Sequence, residues 1–166
     1  MKYISIFLLP MLSFTASAYN EEDLLAEIRN NLKLATENEK VCENLYTKVK
    51  DLKNTSALLK GYIGAVTIAR SKHVPLFDKL STFNKGTAIL DEAIKADPKE
   101  TELRFLRLTL QLNLPGFLGY RDHITTDKEF IFSNFGVAQA VLQKKIADFV
   151  NTSGHFSEKE KQRVRI

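Results

Sequence analysis

With a single cysteine, Cys42, the chain closes no disulfide within itself, and its stability has to come from packing. Histidine is scarce too. His73, His123 and His155 stand far apart, with no His-Glu-x-x-His spacing and no cysteine pair beside them, so no metal site is expected. There is no Gly-x-Ser-x-Gly elbow and no P-loop, so neither an enzymatic activity nor a cofactor is expected. Neither sign of charge dominates. The 24 basic and 20 acidic side chains leave +4 over 166 residues, too even to imply nucleic acid or a membrane surface. Low-complexity tracts and confident strand patterns are absent as well.

One apolar run is present, Tyr3 to Leu12. It follows Lys2 and precedes Ala16-Ser17-Ala18, a small-x-small cleavage site. The run is too short to span a bilayer as a permanent helix. Residues 1–18 are expected to be a signal peptide, with an uncleaved N-terminal anchor as the alternative. Residues 19–166 are expected to form a single helical domain, long enough for a core without staples. The expected location is periplasmic or secreted, with no membrane span after cleavage.

Helical spacing runs through the rest. Asn20 can cap a helix to Ala35, buried through Leu24, Leu25, Ile28 and Leu32. Thr36, with Glu39 at the capping-box position, opens a second helix whose stripe is Val41, Leu45, Val49 and Leu52. Cys42 lies beside that stripe, as a buried structural thiol rather than a reactive one. Ser56 follows a turn and starts a third helix to Arg70. Its strip of Ala57, Gly61, Gly64 and Ala65 points to another helix approaching closely, since mid-helix glycine costs ~1 kcal/mol. A phosphate-cradling glycine loop would need a preceding strand, and none is seen. Pro75 opens a fourth helix to Ala96, striped by Leu76, Leu80, Phe83, Thr87, Leu90 and Ile94.

The stretch Asp97 to Leu114 organises the whole. From Leu106 on, leucine alternates with polar residues, the period of a strand. Asp97 as N-cap, Pro98, Glu100 and the stop at Pro115 argue instead for a helix, antiparallel to the fourth. At ~100° per residue it has two apolar faces. Leu103, Leu106, Leu110 and Leu114 form one, and Phe105, Leu108 and Leu112 the other, so it is expected to be packed on both sides. After it, Gly116 to His123 reads as an ordered loop with its bulky residues turned inward. Thr126-x-x-Glu129 reads as a capping box for a helix from Asp127 to Val150, with Gly136 a point where it can break. Ser157-x-x-Glu160 starts a short terminal helix.

One polar constellation stands out. Arg104, Arg107 and Gln111 line a seam between the two apolar faces, and Tyr120, Arg121, Asp122 and His123 follow in the loop. Folded together, Arg104, Arg107, Gln111, Tyr120, Arg121 and His123 make a candidate binding site for a carboxylate or phosphate. The competing expectation is structural ion pairing with Glu102, Asp91, Asp122 or Asp127.

Ile89 to Pro98, with Ala93 five residues before Pro98, Gly86 small and Leu90 bulky, resembles the second helix and closing turn of a tetratricopeptide repeat. The first half of that repeat, which would fall on Arg70, His73 and Val74, departs from the pattern. The resemblance implies an all-α bundle of antiparallel helical hairpins; covering one repeat, it does not imply a peptide-binding groove, which needs several. The chain also looks like small exported bacterial helical proteins with a Glu-x-Arg-Phe-Leu-Arg stretch and a Phe-Leu-Gly-Tyr loop, here Glu102–Arg107 and Phe117–Tyr120. That resemblance implies fold and compartment alone. The expected function is an exported module that binds another envelope or secreted protein or a peptide. The alternative is a small-molecule or anion binder using Arg104 and Arg107.

Overall fold

Every regular element among residues 20–166, the part that the computed structural model describes, is helical. The expected leader lies outside the described residues. Eight helices run α1 Glu21–Ala35, α2 Glu39–Val49, α3 Ala57–Arg70, α4 Leu76–Ala96, α5 Thr101–Asn113, α6 Ile124–Asn134, α7 Ala140–Thr152 and α8 Glu158–Gln162. Short 3-10 turns, Gly116–Leu118 and Phe135–Val137, follow α5 and α6. The leucine alternation after Leu106 is therefore helical, and the chain does break near Gly136.

The side chains collect into two apolar clusters. The first joins α1 to α4 around Ile28, Leu45, Leu59, Val66 and Leu90. The second joins α6, α7 and the C-terminal segment around Ile131, Ile146, Val150, Phe156 and Val164. Helix α5 belongs to both. Its Leu103 and Leu106 are buried in the first, with Leu110 and Leu114 packed partly against it. Leu108 is buried in the second, flanked by Phe105 and Leu112. Phe105 meets the edge of Phe149, which continues to Phe156 and Phe132. The two-faced amphipathicity of α5 thus becomes a shared wall between two cores.

Three helix starts differ from the sequence expectation. Asn38, not Thr36, caps α2, its side chain accepting from the Val41 N–H at 3.2 Å. Helix α5 begins at Thr101, capped by Glu100, and Asp97 closes α4 instead. Helix α6 begins at Ile124, so Thr126 is already inside it and its hydroxyl donates to the His123 carbonyl. The close partner of α4 is α3, and α4 shares only a narrow contact with α5. Glycine decides this. A Cβ built on Gly64 would lie 2.8 Å from the Gly86 carbonyl oxygen and 2.8 Å from the Leu90 nitrogen, so the two backbones meet where no side chain fits. Cys42 is fully buried in the first core, and burial pushes its thiol up to about 11.

Candidate functional site

The seam predicted on α5 lies between the two cores, and it is a closed ion network. Asp127 sits one turn into α6, its backbone N–H donating to the His123 carbonyl at 2.8 Å. Its carboxylate is fully buried. Arg107, buried to 4% exposure, grips it bidentately, Nε to Oδ2 at 2.7 Å and Nη2 to Oδ1 at 2.8 Å. The remaining edge of the guanidinium donates from Nη1 to Asp91 Oδ1 on α4 at 3.0 Å. Arg104 adds a longer bond from Nη1 to Asp127 at 3.1 Å, and its guanidinium lies over the Phe130 ring. Burial works against the charge on Arg107, but the bonds from Asp127 and Asp91 outweigh it and hold the proton more tightly than usual.

The loop after α5 closes on this network. The Tyr120 hydroxyl donates to Asp91 Oδ1 at 3.0 Å, and its ring meets Phe83 edge-on. Burial, then the Asp91 charge, raises the Tyr120 phenol well above its ordinary value, so it stays a donor. Arg121 turns away from the seam, donating from Nη2 to the Leu114 carbonyl at 2.9 Å. Gly119 ends the 3-10 turn with φ +68, a left-handed conformation that glycine adopts without strain. Leu118 and Tyr120 pack on the first core, as the inward-turned loop requires. Phe117 does not: it is 87% exposed.

Of the six candidate residues, Arg104, Arg107 and Tyr120 meet around Asp127 and Asp91. Gln111 lies one turn beyond Arg107, fully buried, with neither amide atom bonded, and Arg104 Nε is likewise unpartnered. Arg121 braces the loop backbone and His123, exposed, precedes α6. Glu102 takes no part here. It receives Arg29 of α1 through two 2.7 Å bonds and the Tyr62 hydroxyl of α3 at 2.6 Å, a second network at the opposite end of α5. Sequence reasoning missed Arg29 and Tyr62, because nothing local links positions on separate helices.

Two open surface depressions lie elsewhere, along α1 and α2. One is lined by Leu24, Glu27, Lys48 and Leu52, the other by Asn31, Lys40, Val41 and Asn44. Among the described residues, no group of three or more histidine, cysteine or carboxylate side chains is placed to hold a metal ion. Compared with known proteins, the chain matches no family, no curated protein and no solved structure.

Proposed function

We propose that the protein is an exported interaction module that binds another envelope or secreted protein, or a peptide, and carries no catalytic site. The leader-like pattern of residues 1–18 supports export to the periplasm or beyond. The observation that carries the binding function is Phe117, 87% exposed at the tip of a braced turn. A lone exposed apolar residue needs no explanation on a typical surface. This one stands on a loop fixed by Tyr120 to Asp91, by Arg121 to Leu114 and by the Phe83 contact. An exposed aromatic carried on a braced backbone needs little loop ordering on binding, which lowers the cost of using it as an interface anchor. The α3–α4 hairpin supports a tetratricopeptide-like stacking of helices around it.

A photo-crosslinking side chain at position 117 tests this in the envelope and secreted fractions. The expected result is one discrete protein adduct that is absent when the same group stands at exposed Val137. No adduct, or the same adducts from both positions, contradicts it. A second function, anion or small-molecule binding on the Arg104/Arg107 seam, is favoured by the unpartnered Gln111 amide and Arg104 Nε. Against it, Asp127 already supplies the counter-charge that a ligand would bring.

A further inference from the structure

Helix α4 is 21 residues long and α3, its close partner, is 14. The register is fixed where Gly64 faces Gly86 and Leu90, and where Gly61 faces Leu90 and Ala93. The C-terminal part of α4 therefore lies along α3. The extra residues, ~10 Å of helix at 1.5 Å each, run on past the end of α3 at Arg70. The buried stripe of α4, Phe83, Thr87, Leu90 and Ile94, continues into this overhang as Leu80 and Leu76, which have nothing to pack on. They are 59% and 76% exposed, and Phe77 beside them is 95% exposed. Three adjoining bulky apolar side chains on one projecting helix end differ from the scattered exposure of an ordinary surface.

The charge around them is mainly positive. Lys72 and Lys79 are exposed and form no ion pair among the described residues. The acid of this segment, Asp78, lies about 160° round the helix from both Leu76 and Leu80 and about 100° from Phe77. No side chain caps the start of α4, so its first N–H groups add partial positive charge. The neighbouring α1–α2 turn, to which His73 Nε2 bonds through the Ala35 carbonyl oxygen at 2.8 Å, sets Lys33 and Lys40 against Glu37 and Glu39 and changes nothing. The even charge balance of the whole chain hides this local excess.

We propose that the overhang seats the protein peripherally on an anionic lipid surface, with Leu76, Phe77 and Leu80 among the acyl chains and Lys72 and Lys79 on headgroup phosphates. Among the described residues no helix is long and apolar enough to cross a membrane, so the contact is with one leaflet. A second copy is a poorer occupant, because pairing two overhangs brings the same unpaired lysines together.

The chain contains no tryptophan, so Phe77→Trp installs a single site-specific fluorophore, and Val137→Trp, at an equally exposed apolar position, is the control. The test uses the full-length protein as it is recovered from cells, and the Val137→Trp control carries the same N-terminus. Vesicles of phosphatidylcholine with phosphatidylglycerol should shift the emission of Trp at 77 to the blue and leave that at 137 unchanged. Pure phosphatidylcholine should give a much weaker shift. Adding Lys72→Glu and Lys79→Glu, or Leu80→Asp, should lower partitioning by about tenfold or more. Absence of a shift, equal shifts at both positions, or equal response to both lipids overturns the proposal. So does a shift without vesicles that grows with protein concentration, which would assign the overhang to self-association.

Discussion

Asp127 is where the account is most exposed to test at the scale of a residue. It is fully buried and carries the counter-charge for Arg107 and part of Arg104. Removing one partner of a buried pair leaves a charge in low dielectric, so Asp127→Asn should destabilise the fold by about 3–5 kcal/mol in urea unfolding. A loss below about 1 kcal/mol would mean that Asp91 alone satisfies the guanidinium. Gln111 behaves in the opposite sense. Its amide is buried and makes no bond, an arrangement that costs about 1–3 kcal/mol. Gln111→Met keeps the volume and removes the orphaned atoms, so stability should hold or rise; a loss near 2 kcal/mol would show that a group outside the chain partners the amide. The arginines and Gln111 were visible in the sequence as one seam. Asp127 was visible only as one of four possible partners, because ion pairing across helices depends on which faces meet, and local periodicity does not carry that.

For single elements, caps were legible where the side chain had one use. Asn20, Ser56 and Ser157 cap α1, α3 and α8 as their positions suggest, Ser157 in a full capping box with Glu160. Thr36, Asp97 and Thr126 misled, since the same short polar side chains also bond locally in turns and inside helices. Thr36 donates to the Lys33 carbonyl at the end of α1, and Asp97 accepts from the Lys99 N–H in the turn before α5. The glycine strip of α3 read correctly as a site of close helix approach, although the approaching helix is α4 and the contact is backbone to backbone. Gly64→Ala should therefore cost roughly 1–3 kcal/mol, the range for overpacking, despite alanine's better helix propensity. A stabilised Gly64→Ala protein in a thermal melt would mean that the helices separate without loss. Phe117 was expected inside and stands outside, because the three-residue turn that carries it sets Leu118 inward, and Tyr120 after it takes the other place on the core.

At the scale of the molecule, the eight helices of the described residues are divided into two cores by one helix that belongs to both. The all-α class and the double amphipathicity of α5 were legible from spacing and caps. Which helices pair was not: the short turn at 97–100 suggested an α4–α5 hairpin, whereas the fit of Gly64 to Gly86 sets α4 on α3. The shared wall makes the two cores interdependent, with the Arg107–Asp127 pair and the two leucine faces of α5 spanning the same boundary. The most direct measurement is the unfolding free energy of Leu106→Ala and Leu108→Ala side by side. Leu106 is buried in the first core and Leu108 in the second, two residues apart on opposite faces. Both substitutions should cost about 2–5 kcal/mol. One costly leucine beside another within about 0.5 kcal/mol of neutral, as on an ordinary surface helix, would contradict the two-core architecture.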